Sequence, residues 1–429
     1  MYLPQAVKKY LSKQNFYNWK LECNTDKLFN NIIVIPAIQE FENIKKLLIS
    51  IKKNEPRYLQ NTLLVFVINN LKYEGSHIKN DNLKSIRFLK NYTSTGTLPH
   101  IGIIDAATEN KELPEKNGGV GYARKIGMDL ALKKFNYSNK EKKILISLDA
   151  DCTVSENYLK TVITEFNTKN ISAAIVNFEH KLPDNPKQKI AIINYEIFLR
   201  YYMLGLTYAK SPYAFYTIGS TIVCDYESYI KIGGMNKRKA GEDFYFLQKL
   251  AKTVNIKRIK NATVYPSSRI SSRVPFGTGQ KIKSLIIKNP NNYYIYSAKS
   301  FYVLKNWLDV FQKENLTSEK YLTEAKLINK GLYNFLIQNK FETTWNKILE
   351  NGKTNKQLIK QKKLWMDGFK TLKLIHHLRD YEFPNQNIFN ALNDLLSKLK
   401  PQNFPLHNTD NSNKITVNLE YLKLLKNIT

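Results

Sequence analysis

In the first half of the chain the apolar positions form short, almost unbroken runs. Between and after those runs they recur at helical spacing. Asn31-Ile32-Ile33-Val34-Ile35-Pro36-Ala37 is β-branched and stopped by a proline, which predicts a buried first strand. Phe41, Ile44, Leu47, Leu48 and Ile51 then follow a helical period. Leu63 to Ile68 is a second apolar run, ended by Asn69-Asn70, and His100 to Asp105 is a third. Gly118-Gly119-Val120-Gly121 opens a further helical pattern through Ala123, Ile126, Met128, Leu130 and Ala131. Strands alternating with helices argue for βαβ units and a largely parallel sheet. From about residue 281 the pattern is helical throughout, with Asn351-Gly352 and Phe383-Pro384-Asn385 as breaks.

The chemistry concentrates at strand ends. Ile144-Leu145-Ile146-Ser147-Leu148-Asp149-Ala150-Asp151 reads as a buried strand that delivers two carboxylates to its carboxyl end, where open α/β sheets bind ligands. Two such carboxylates repel each other unless a cation or a shared proton intervenes. A hard divalent ion, completed by substrate phosphates, meets that need. The same residues also suit a strand followed by an acidic turn, since Asp favours turns. Downstream, Gly241-Glu242-Asp243-Phe244 places two acids where a helix begins, and a helix N-terminus stabilises a carboxylate. Taken alone, that pair is an ordinary acidic helix start.

Four motifs in order resemble the family 2 glycosyltransferases. Ile35-Pro36-Ala37-Ile38-Gln39-Glu40 is similar to their first-strand motif, and Gly121-Tyr122-Ala123-Arg124-Lys125-Ile126-Gly127 to their glycine and arginine stretch. Leu148-Asp149-Ala150-Asp151 resembles their Asp-x-Asp, and Gly233-Gly234-Met235 with Gly241-Glu242-Asp243-Phe244 resembles their closing Gly-Gly and Glu-Asp motifs. The resemblance spans residues 31 to about 280 and implies an α/β GT-A fold: a mixed, mostly parallel sheet flanked by helices. The expected organisation is an N-terminal extension over 1–30, a GT-A domain over 31–280 and an α-helical C-terminal region over 281–429.

The same resemblance implies a nucleotide-diphosphate-sugar donor, Mn²⁺ or Mg²⁺, and inverting transfer of a hexose to a glycan, lipid-linked or other cell-envelope hydroxyl. Asp151 is implied as a direct metal ligand, with Asp149 on the ribose or on the metal. Asp243 is implied as the base that takes the acceptor proton, ahead of Glu242. Pro36, Ala37, Glu40, Asn69, Asp105, Gly121, Arg124, Arg269 and Arg273 are the further donor-site candidates. Asn69-Asn70 stands where relatives usually carry acids; an amide still both donates and accepts. Arg124 and Lys125 suit sheet-side or diphosphate contacts, and Lys125 equally suits a solvated helix face. The Ser267 to Gly279 loop, with Arg269 and Arg273, suits closure over a donor or a plain linker. His180, Gly219 and Gly234 are acceptor-side candidates, His180 against the alternative of a surface histidine. Relatives often supply a ligating His after the Glu-Asp pair; Val264-Tyr265-Pro266-Ser267-Ser268-Arg269 has none. Two other readings share these residues: a retaining transferase on the same fold, and a degenerate transferase serving as a basic glycan-binding protein.

At 429 residues and 43% hydrophobic, the chain can bury a large core. The net charge of +30 is spread roughly in proportion to length and is carried mostly by Lys, which argues against a specific nucleic-acid binder. It fits solvated surfaces, anionic substrates or a peripheral contact with an anionic membrane. Met1-Tyr2-Leu3-Pro4 does not begin a secretory signal, and Cys23, Cys152 and Cys224 form neither zinc spacing nor an even disulfide set. A cytoplasmic protein is therefore expected. The aromatic stretch from Ala191 to Ala209, broken by Glu196 and Arg200 one turn apart, suits an interfacial or acceptor-groove helix better than a membrane span.

Overall fold

The computed structural model describes residues 2–15, 18–269, 283, 285–286, 293–313, 315–352, 354–399 and 415–429. Arg273 lies outside them. The chain divides into two compact units: Met1–Lys181 with Thr217–Gly277, and Leu182–Tyr216 with Thr278–Thr429.

The first unit is built on a nine-stranded sheet. Its strands are β1 (Glu22–Cys23), β2 (Asn31–Ala37), β3 (Thr62–Asn69), β4 (His100–Ala106), β5 (Ile144–Ser147), β6 (Thr153–Val154), β7 (Ala173–Phe178), β8 (Ile222–Asp225) and β9 (Ile256–Tyr265). They lie in the order β1-β4-β3-β2-β5-β8-β7-β9-β6. Pairing is parallel through β4-β3-β2-β5 and again at β7-β9, while β8 runs antiparallel to both β5 and β7. The expected α/β class, a mostly parallel mixed sheet with helices around it and more helices toward the C-terminus, is the one observed.

Every residue of β2, β3 and β5 is buried, which explains why their sequences run apolar without alternation. One face of the sheet packs Ile33 and Ile35 against α2 (Phe41–Lys52), α4 (Ser76–Ser94) and α6 (Tyr158–Thr168). The other face takes α5 (Val120–Ala131). A Cβ at Gly127 would meet Val67 at 2.8 Å and would overlap Val34, so this glycine lets α5 lie flat on β2 and β3. That closeness buries α5 on all sides, Lys125 and Asp129 included.

Those two charges survive burial because they are paired. Asp129 accepts hydrogen bonds from Lys125 Nζ at 2.9 Å, Tyr10 OH at 2.8 Å and Tyr229 OH at 2.6 Å. A buried ion pair is tolerable when its remaining lone pairs are also satisfied. Lys125 is thus an interior residue, and the solvated-face alternative for it is overturned. Tyr10 lies on α1 (Gln5–Leu11), so the N-terminal segment is bound into the first unit through this carboxylate.

In the second unit α7 (Pro186–Tyr208) begins with Asn185, whose side chain accepts from Gln188 N, and with Pro186 in the first turn. It shares an apolar core with α10 (Ala298–Lys313), α11 (Ser318–Ile328), α12 (Lys330–Gln338), α15 (Gly368–Tyr381), α16 (Ile388–Leu399) and α17 (Ile415–Ile428). The expected Glu196–Arg200 pair forms, with Arg200 Nε and Nη2 on Glu196 Oε1 at 3.0 and 2.9 Å. Both residues are buried, which corrects the expectation of an interfacial or groove-lining face for this helix. The pair neutralises itself inside, so the break in hydropathy did not mark a surface. No helix among the described residues is long and apolar enough to cross a membrane.

Candidate functional site

The carboxyl ends of β2, β3, β4 and β5 share one edge of the sheet because these strands are parallel. β8 runs the other way, so the residues entering it, Gly219 to Thr221, join that same edge. Strand direction alone therefore gathers the ends of the first-strand motif, the Asp-x-Asp and the glycine before β8.

At the centre lies Arg124, 2% exposed and projecting from the first half of α5. Its Nη2 is ion-paired to Asp149 and its Nη1 to Glu242. Glu242 and Asp243 open α9 (Glu242–Thr253), which starts after Gly241 at φ +67°. A buried guanidinium that forks between two carboxylates is the arrangement an arginine, with its planar donors, makes best. Close backbone approach makes room for it. A Cβ at Gly219 would lie 2.5 Å from Arg124 Nη1 and Nη2, and one at Gly121 would lie 2.8 Å from Glu242 Cβ and would overlap the Arg238 carbonyl. Asn236 Nδ2 donates to the Glu242 carbonyl at 2.7 Å and ties the preceding turn to α9.

Burial, and then the neighbouring Glu242 carboxylate, push the Asp243 carboxyl up to about 7 against the opposing pull of Arg124. Burial likewise raises Glu242, with Arg124 again opposing. Asp243 Oδ1 accepts from Phe244 N at 2.7 Å. A half-buried carboxylate at a helix N-terminus, poised near neutrality, is chemically equipped to take a proton from a hydroxyl.

Next to Arg124, the ligand atoms of Asp149, Asp151 and Cys152 lie within 4.8 Å of one another, the one such group among the described residues. Burial holds the Cys152 thiol well above its ordinary range, so it stays protonated and the hard donors are the two aspartates. Their fit to Mn²⁺ or Mg²⁺ is sound: two carboxylates are what a site completed by phosphates requires. The surrounding charge agrees. The carboxylates Glu40, Asp149, Asp151, Glu242 and Asp243 outnumber the guanidinium groups of Arg124 and Arg269 around them. Arg269 pairs bidentately with Glu40, Nη1 to Oε2 at 3.0 Å and Nη2 to Oε1, while Nη2 also meets Asp151 Oδ2 at 3.0 Å.

Pro36 and Ala37 end β2, and Glu40 is the residue before α2. Asn69 ends β3, where its Nδ2 donates to the carbonyls of Ala37 and Val67, both at 3.1 Å, so its donor side is committed to the backbone. Asp105 caps its own loop, accepting from Ala107 N, Thr108 N, Thr108 Oγ1 and Lys111 Nζ. Burial works to raise Asp105, yet the Thr108, Ala107 and Lys111 hydrogen bonds hold it below its ordinary value. His180 is buried, with its ring 5.7 Å from Phe178, which corrects the surface alternative; it is not in the Asp149, Asp151 and Cys152 group. Gly234, at φ +73°, backs directly on Tyr10.

Sequence reading missed Asn82, whose amide joins two strand-end segments. Its Nδ2 donates to Asn69 O and Asn70 Oδ1 at 3.1 and 2.8 Å, and its Oδ1 accepts from Gln39 N at 2.9 Å. Gln39 sits at φ +54°, a strained conformation that this bond helps to hold. Nothing in the sequence distinguishes Asn82 from the polar residues around it on α4.

No protein-family model matches the chain, and no curated protein matches it. Solved structures do. S. aureus TarS 1–349 in complex with UDP-GlcNAc is 10% identical, with a TM-score of 0.38 over 93% of this chain and 91% of that one. The mannosyltransferase PcManGT from Pyrobaculum calidifontis, in complex with GDP-Man and Mn²⁺, is 12% identical, with a TM-score of 0.37 over 88% and 93%. GalNAc-T7 with UDP, GalNAc and Mn²⁺ is 14% identical, with a TM-score of 0.36 over 70% of this chain and 55% of that one. Identities and TM-scores this low transfer no ligand and no residue role to this chain.

Proposed function

We propose that this chain is a glycosyltransferase of the GT-A type, moving a sugar from a nucleoside-diphosphate donor to the hydroxyl of a glycan, a lipid-linked acceptor or another envelope acceptor, with inversion. One observation carries the reading: Arg124 bridges Asp149 and Glu242, residues 25 and 118 positions away from it, so both acidic motifs meet at one strand-end edge. An ordinary acidic turn and an ordinary acidic helix start have no reason to converge on a shared buried arginine.

In this reading Asp151 and Asp149 hold Mn²⁺ or Mg²⁺, which when bound supplies positive charge for the departing diphosphate. Arg124 fixes Asp149 on one side and Glu242 on the other. Asp243, one residue further along α9, accepts the proton of the acceptor hydroxyl as its oxygen bonds to the anomeric carbon. The bond from that carbon to the diphosphate oxygen breaks, and the nucleoside diphosphate leaves with the electron pair. Glu242, neutralised by Arg124, is the poorer base of the two.

Isothermal titration with UDP, GDP and dTDP, each with and without Mn²⁺, tests the donor site. Metal-dependent binding of at least one is expected; a folded protein that binds none of them refutes the reading. Product anomeric configuration by NMR separates inversion from retention.

A further inference from the structure

Arg269 makes contacts that a mere linker residue does not need. Glu40 has a side chain only 7% exposed, and a carboxylate that far from water requires a charged partner. Arg269 provides it through a two-pronged pair, and Asn43 Nδ2 adds a bond to Glu40 Oε2 at 2.6 Å. The guanidinium is thereby fixed, and a further contact of its Nη2 falls on Asp151 Oδ2 at 3.0 Å. Arg269 N also donates to Ser267 Oγ at 3.2 Å, which orients the residue as the chain leaves β9 through Pro266. A delocalised, permanently charged group thus rests on the very carboxylate assigned to the divalent ion.

We propose that Arg269, held by Glu40, is a built-in counter-cation for Asp151, and that the guanidinium and a divalent metal ion are alternative partners of that carboxylate. The inference rests on Asp151 being a cation ligand. Its consequence is a site that is never without positive charge. The divalent ion binds the free protein weakly, because it must displace the guanidinium from Asp151 and remain beside it. A guanidinium so placed also matches a diphosphate in charge and fork geometry, so a nucleoside diphosphate retains measurable affinity without metal.

The test uses MnCl₂ alone, titrated into the full chain and read as bound Mn²⁺ by the loss of its free-ion EPR signal. Arg269→Gln is expected to bind Mn²⁺ at least tenfold more tightly than the parent protein, and Arg269→Lys, which keeps the charge, to stay near it. Because Arg269→Gln removes the two-pronged partner of Glu40, Glu40→Gln/Arg269→Gln is measured beside it. Its neutral pair removes that burden, and it should show the same gain. The gain should vanish in Asp151→Asn/Arg269→Gln. Unchanged Mn²⁺ affinity in both Gln variants overturns the proposal, as does a gain that persists without Asp151. Titration of UDP and GDP in EDTA completes the set, with loss of residual binding in Arg269→Gln expected. If no nucleoside diphosphate binds any form, with or without metal, the donor-site reading fails while the Mn²⁺ result still decides the role of Arg269.

Discussion

Replacing Arg124 by Gln removes the charge between Asp149 and Glu242 while preserving most of the side-chain length. Glu242 has a side chain 6% exposed, and stripping the partner from a buried pair costs about 3–5 kcal/mol. The Asp149 arm, with its carboxylate 36% exposed, adds about 1 kcal/mol or less after solvent screening. At roughly 2–4 °C per kcal/mol for a domain of this size, thermal unfolding of the first unit should fall by roughly 6–24 °C. The electrostatic effect has a definite sign. Arg124 pulls the Glu242 and Asp243 carboxyls down, so its loss lets both rise and moves the acid limb of turnover to higher pH. Urea and thermal unfolding of Arg124→Gln, Glu242→Gln and the double variant form the assay, together with pH–rate profiles. The double variant should recover most of the lost stability, since the buried Glu242 charge is then removed and only the part-exposed Asp149 still lacks its partner. A loss below about 1 kcal/mol in Arg124→Gln, or no recovery in the double variant, would refute the argument that this guanidinium holds the site together.

Asp243, raised to about 7, must be ionised to act as a base, so turnover should climb with pH through about 7 and then level; a limb near pH 4–5 would exclude it. Asp243→Asn should lower turnover about 10²-fold or more, with nucleotide binding retained. Because the folded pKa is the raised one, the stability Asp243 contributes is full below its unfolded pKa and is lost as pH rises through about 7. The asparagine variant should therefore gain thermal stability relative to the parent between pH 4 and 7 and keep that advantage above it. Asp151→Asn should abolish the metal-dependent part of nucleoside-diphosphate binding in calorimetry, and undiminished metal dependence would remove Asp151 from the cation site. Gly219→Ala places a methyl 2.5 Å from the Arg124 guanidinium, so both turnover and melting temperature should drop; parent-like values would show that the contact is slack.

The central sheet was readable because β2, β3 and β5 are buried on both faces, and a continuous apolar run is the direct signature of that burial. The acidic motifs were readable too, since strand ends and helix starts are local features. What pairs with what was not. Lys125 looks solvated in a helical pattern until Asp129, Tyr10 and Tyr229 close around it, and Tyr10 is 119 residues from Asp129. Arg124 stood out in the sequence as a candidate, but its two partners are fixed only by tertiary packing. The Glu196–Arg200 spacing predicted the pair correctly and its surroundings wrongly, because one-turn spacing says who meets and nothing about water. The N-terminal 1–30 segment had no pattern strong enough to reveal that Tyr10 belongs to the interior.

The interruption of the first unit by residues 182–216 sets an order of assembly. During synthesis β4-β3-β2-β5 can pair as soon as they emerge, bringing together the strand ends that carry Ala37, Asn69 and Asp149. β5 then presents a bare, apolar border until β8 arrives, and β8 is made only after the excursion through α7. Unpaired borders of this kind invite pairing with other chains, so the sheet is most open to such pairing in the interval between the synthesis of β5 and that of β8. Ring closure across the excursion grows costlier only slowly with its length, which keeps the late step thermodynamically cheap. The carboxylates of α9, and after them Arg269, are therefore the last parts of the edge to be delivered: the strand ends are in place before the helix start and the arginine that close on them.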